Sequence, residues 1–236
     1  MFKKKLAIYL SCLLAFGIFS LSCNSSAVND NLLPMYPDFS GKNPNLFDTS
    51  WLTISPCDTP CWHELRLGKT SIADAIVAIK ELSFINPESL KLVETRLPSK
   101  NIESVLAECK ESPGKTCVDA RFYEKTLESI YIWPNYQISF DQAVEQLGEP
   151  NGFFYTPLGV ETSGCYISLI WIKKQMTVSF SEETGTLKRD LCSHLLETNW
   201  KLPQNIPIQI VSIVLSEQIE SIISNETYVI WEGFEE

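Results

Sequence analysis

The chain has 236 residues, of which 44% are hydrophobic, 11% aromatic and 20% charged, a balance that excludes a fibrous or disordered chain and suffices for a sizeable core. Its formal net charge is −10; residues 1–22 hold three Lys and no acid, so the remainder carries 16 basic and 29 acidic side chains, −13 in all. A surface of that sign repels phosphate, and no Lys/Arg run beyond the first five residues forms a basic patch, so nucleic acid is excluded as a partner.

Taken in chain order, Lys3, Lys4 and Lys5 precede an apolar stretch over residues 6–21, the charged and hydrophobic parts of a secretory signal. The stretch is short for a permanent span, which needs roughly 20 apolar residues. Residues 1–22 are therefore read as a signal peptide, and everything after about residue 23 as extracytoplasmic. Ser20-Leu21-Ser22-Cys23 resembles the lipobox of bacterial lipoproteins, although that pattern prefers Leu where Ser20 stands. The resemblance implies that Cys23 becomes the first mature residue and carries the lipid, attaching the protein to a bacterial membrane. A signal cleaved near Ser22 or Ala27, or an uncleaved anchor, remains open. Asn24 is not the Asp that retains some lipoproteins at an inner membrane.

Residues 23–50 turn to Asn, Ser, Asp and Pro, with Pro34, Pro37 and Pro44 breaking any period. A flexible tether of this length has an end-to-end distance of about 30 Å. The folded part is expected to begin at residue 51 and to comprise a first half over 51–134 and a second over 135–236. In an exported protein the even set Cys57, Cys61, Cys109, Cys117, Cys165 and Cys192 reads as disulfides. Six cysteines allow 15 pairings. Local pairing, 57 with 61, 109 with 117 and 165 with 192, keeps each bridge within one structural unit.

Ser71, Ile72, Ala75, Ile76 and Ile79 predict a capped amphipathic helix, and Ser139, Phe140, Ala143, Val144 and Leu147 repeat the pattern 68 residues later. The second helix stops at Gly148, with Pro150 beyond. Strands are expected at 118–124, 127–133 and 152–155. A hairpin follows, with Cys165, Ile167, Leu169 and Trp171 on one face, Lys173-Lys174 at the turn, and Met176, Val178 and Phe180 alternating beyond it. Another β-rich run covers 206–215, and Leu215, Ile219, Ile222 and Ile223 indicate a short helix. Helix then antiparallel sheet, twice, predicts an α+β fold of two tandem related halves.

Leu147-Gly148-Glu149-Pro150 after the second helix, with strands beyond, resembles the outer-membrane assembly lipoproteins of the SmpA/OmlA type and the β-lactamase-inhibitor-protein fold. Those have Gly-Met-Thr before the helix where this chain has Gly68-Lys69-Thr70 and Gln137-Ile138-Ser139. The chain as a whole also resembles uncharacterised bacterial lipoproteins through Pro60-Cys61-Trp62, Leu67-Gly68-Lys69-Thr70, the Leu-Gly-Glu-Pro segment and Trp231-Glu232-Gly233-Phe234. The resemblance implies a short helical segment packed on an antiparallel sheet and, by analogy, a module that binds other proteins.

The chemistry of catalysis is sparse. Gly68-Lys69-Thr70 and Gly114-Lys115-Thr116 lack the P-loop's earlier Gly, having His63 and Cys109 there. Cys57, Cys61 and His63 have zinc-ligand types but no second pair to complete four ligands. His63-Glu64 does not extend to a metalloprotease helix, since position 67 is Leu67. His194 with Glu197, and Glu145 with Glu149, read as surface pairs. No Gly-x-Ser-x-Gly elbow is present. Trp171 reads as core, whereas Trp62 and Trp231 could pack or make contacts. The expectation is an exported, lipid-anchored, non-catalytic interaction module of the cell envelope, with neither cofactor nor metal and an envelope protein as partner. The alternatives are a small-ligand binder with an aromatic cleft near residues 133–136 and a carboxylate-based hydrolase.

Overall fold

A computed structural model describes residues 49–53, 57, 60–96, 100–134, 138–157, 165–181, 195, 201–202, 206, 208–224 and 227–234. The expected signal, the tether up to residue 48, Cys23, Tyr136, Cys192, His194 and Glu197 lie outside them. Helix α1 (Ser50–Thr53) precedes a small hairpin of β1 (Cys61–Trp62) and β2 (Leu65–Arg66). Helix α2 (Ile72–Glu81) is followed by β3 (Ile85–Arg96), β4 (Asn101–Cys109), β5 (Thr116–Tyr123) and β6 (Thr126–Ile132). Helix α3 (Phe140–Leu147) is followed by β7 (Gly152–Pro157), β8 (Cys165–Trp171), β9 (Met176–Ser181) and β10 (Ile210–Val214), then helix α4 (Ser216–Ile223) and β11 (Tyr228–Ile230).

The fold is α+β. Among the described residues, nine strands form one antiparallel sheet in the order β11-β7-β8-β9-β10-β6-β5-β4-β3. The strands after α2 and α3 therefore meet in a single sheet. The joint is the ladder between β6 and β10, where Val211 pairs with Ile132 and Ile213 with Ile130. Pairing there removes two edges that would otherwise present unsatisfied backbone groups.

Alternation along the strands sends apolar side chains to one face. Val105, Ala120, Ile130, Ile213, Met176 and Trp171 are buried in the main core with Ala75 and Ile79 of α2 and Phe140, Ala143 and Leu147 of α3. Trp51 and Trp62 belong to the same core, so Trp62 is a packing residue, and half-buried Trp231 packs against it beside Phe234. Ser71 accepts a hydrogen bond from the Asp74 N–H and so caps α2. At α3 the Gln142 side chain accepts from the Ser139 N–H at 3.0 Å, and Gly148 ends the helix at φ 80°.

Two bridges match the expected local pairing: Cys57 with Cys61, Cα atoms 5.7 Å apart, and Cys109 with Cys117, 5.1 Å apart. The second clamps the β4–β5 hairpin, whose turn is further held by the Gly114 N–H donating to Glu108 Oε2 at 2.7 Å. Cys165 is also disulfide-bonded, to a partner outside the described residues.

Candidate binding face

The register fixes what the other side of the sheet carries. Leu106 of β4 lies opposite Asp119 of β5, Asp119 opposite Tyr131 of β6, Tyr131 opposite Ser212 of β10, and Ser212 opposite Thr177 of β9. The adjacent rows add Ser104, Arg121 and Ser129 on one side and Ser179 and Ser168 on the other. Where the core face is apolar, this second face is floored with hydroxyls and rimmed with Tyr, Trp and Arg. Helix α4 covers one end of it, packing Ile219, Ile222 and Ile223 with Ile170, Val214, Phe154 and Tyr228.

At the middle, Arg121 Nε donates to Asp119 Oδ2 at 2.8 Å, and the guanidinium carbon lies 4.2 Å from the Tyr131 ring centroid. Stacking and ion pair together hold the Arg121 side chain in one place. Tyr131 and Trp133 are half-buried, with ring centroids 6.3 Å apart. Asp119 is 5% exposed, and its Oδ1 has no hydrogen-bond partner among the described residues. That is an exception to the rule that buried polar atoms are paired. The other charges here pair off: Lys100 holds Glu128 at 3.0 Å while lying over Tyr123, and Lys91 approaches Glu108 at 3.7 Å. These three pairs, Asp119–Arg121 included, are each neutral.

Further along the face, Ser168 and Ser179 hydroxyls meet at 2.5 Å. Burial pushes the Tyr166 phenol above its ordinary value, hydrogen bonds with Ser179 and Ser168 work against this, and nearby Tyr131 adds to it. Burial also raises the Tyr228 phenol.

The residues considered for chemistry lie elsewhere. Cys57 and Cys61 are bonded to each other, which removes two thiolates from any zinc arrangement. His63 Nε2 lies 3.1 Å from Ser50 Oγ and the ring sits beside Trp62 and Phe84, tying α1 to the β1–β2 turn. Gly68 and Gly114 lie in turns with φ of 72° and 82°. Glu145 and Glu149 are both exposed. Sequence reasoning did not single out Asp119, Arg121 or Tyr131. The signal available was opposite charges two apart in a strand, but the ring across from them needs the register. No helix of the described residues is long and apolar enough to cross a membrane. The chain matches no family model, no curated protein and no solved structure.

Proposed function

We propose that this chain is an exported protein, anchored to a bacterial membrane through lipidated Cys23, that acts as a non-catalytic protein-interaction module of the cell envelope. The observation that carries this reading is the cluster of Arg121, Tyr131 and Trp133 on the second face of the sheet. Arg, Tyr and Trp are the residue types that dominate binding energy at protein interfaces. Here they are held in place before any partner arrives, which lowers the ordering cost of association. The tether of residues 23–50 would let this face meet neighbours without a fixed orientation.

The two halves are proposed to be copies of one unit. Each has a helix followed by four antiparallel strands, and residues 68 apart, Ala75 with Ala143 and Ile79 with Leu147, are buried alike. A duplicated unit that donates its last strand to a joint ladder fits the resemblance to the SmpA/OmlA type and the β-lactamase-inhibitor-protein fold. Cys165 is assigned to Cys192 on the same ground of local pairing. The small-ligand reading places an aromatic cleft near residues 133–136, of which 135 and 136 lie outside the described residues; the β6–β10 ladder next to it pairs residues 129–132 without a break and so favours a packed junction.

Crosslinking of the tagged chain in intact cells, followed by mass spectrometry, tests the proposal, with a Cys23→Ser chain as control. One envelope protein captured reproducibly by the parent and lost with the control is expected. Equal, non-specific recovery from both would count against it.

A further inference from the structure

Asp119 and Arg121 leave complementary hydrogen-bonding capacity side by side. Asp119 uses Oδ2 and leaves Oδ1 without a partner among the described residues, while Arg121 uses Nε on that same carboxylate. The guanidinium has five donors in a planar fork, so its terminal nitrogens keep capacity to give. One acceptor and one donor, adjacent and fixed, match the two ends of a carboxamide: its NH2 donates to Asp119 Oδ1 and its oxygen accepts from Arg121. Building on the interaction-module reading, we propose that this pair reads an Asn or Gln side chain projecting from a segment of the protein partner.

Charge selects against the neighbouring possibilities. A Lys or Arg from the partner would face the Arg121 guanidinium, and a carboxylate or phosphate would face Asp119. Lys100 with Glu128 and Lys91 with Glu108 are already paired, so neither supplies a compensating charge. An uncharged planar group that both donates and accepts fits this pair, and the half-buried Trp133 ring offers it a surface to lie against. Oδ1 is shut off from solvent, which a projecting side chain reaches more readily than a main-chain N–H can. Arg121, its side chain 38% exposed against 7% for Asp119, marks the side from which that group arrives. A buried acceptor left unpaired in the free protein and satisfied in the complex makes discrimination steep, because the wrong side chain leaves it unpaired still.

The test uses the full chain in detergent, with 15N-labelled tryptophan, titrated with acetyl-Gly-Gln-Gly, acetyl-Gly-Glu-Gly and acetyl-Gly-Lys-Gly peptides, each capped as its N-methylamide so that only the Gln side chain carries a primary carboxamide. The Trp133 indole N–H signal should shift saturably with the Gln peptide, with an affinity at least roughly tenfold above that for the other two. Asp119→Leu should abolish the shift. Arg121→Lys keeps the charge but loses the fork, and should weaken binding at least roughly threefold. No saturable shift, or equal shifts for the Gln, Glu and Lys peptides, overturns the proposal. A response to di-N-acetylchitobiose as strong as that to the Gln peptide overturns the peptide source in favour of an acetamido sugar. Photo-crosslinking from position 123 in cells separates the two levels of the argument. A protein captured equally by the parent and by Asp119→Leu refutes the amide reader and leaves the interaction module standing. A Gln response without any captured protein supports the reader and refutes the module.

Discussion

At the scale of single residues, the second face depends on one ion pair and one glycine. Removing Arg121 strands a buried carboxylate; because the Arg is partly exposed, the expected cost of Arg121→Ala is about 1–2 kcal/mol, measurable by denaturant unfolding. Replacing Asp119 and Arg121 together should cost less than the sum of the singles. Gly152 lies where a Cβ would run into the Val229 carbonyl and the Tyr228 ring. Gly152→Ala should therefore lower stability by roughly 1–3 kcal/mol through overpacking, loosening β11 and with it the cover that α4 and Tyr228 give to one end of the face. Asp119 and Arg121 were legible in sequence only as two polar positions in a strand over 118–124. Their partnership with Tyr131 comes from a register that includes a shift between Arg121 and Phe122, which no local pattern specifies.

At the scale of elements, what was readable and what was not divides by burial. Helices α2 and α3, strands β5 and β6, the 165–180 hairpin and the short helix after residue 215 turn apolar side chains to a core at helical or alternate spacing, so their period shows. Strands β3 and β4 were not anticipated. In β3, Leu92 is 56% exposed and Val93 39%, one on each face, and Pro87 interrupts the run at the edge of the sheet. An edge strand exposed on both faces has no apolar period to detect. The turn at His63-Glu64 was hidden and the turn at Glu124-Lys125 was located only by the strands expected on either side, because both take positive φ without a glycine. Asn-Gly fits such turns far better. Replacing Glu124-Lys125 by Asn-Gly should raise stability by roughly 0.5–1.5 kcal/mol in thermal unfolding. Removing the Cys109–Cys117 bridge with paired Ser substitutions should lower it by about 2.5 kcal/mol, the chain-entropy value for so short a loop.

At the scale of the whole molecule, two partly buried phenols link the hydroxyl-floored face to pH. The folded state holds the Tyr166 and Tyr228 protons above the ordinary value of 10.0, whereas the unfolded chain releases them there. Below pH 10 this contribution is fully present; as pH rises further, the unfolded state binds fewer protons than the folded one and stability falls. The slope is at most about 1.4 kcal/mol per pH unit for each proton. Tyr166→Phe should flatten the alkaline limb of an unfolding midpoint plotted against pH, leaving the part due to Tyr228.

The joined sheet gives the molecule two large faces with opposite characters, one consumed by α2, α3 and the tryptophans, the other polar and aromatic. The functional account rests on the second. Its most direct test places a photoreactive phenylalanine at Tyr123, on that face beside Arg121, and separately at Val77, which is 58% exposed on α2. After irradiation of intact cells, the account predicts one envelope protein crosslinked from position 123 and not from 77, and lost when Tyr131 and Trp133 are both replaced by Ala in a chain that still folds. Crosslinks from position 77 alone, or none from either position, would contradict it.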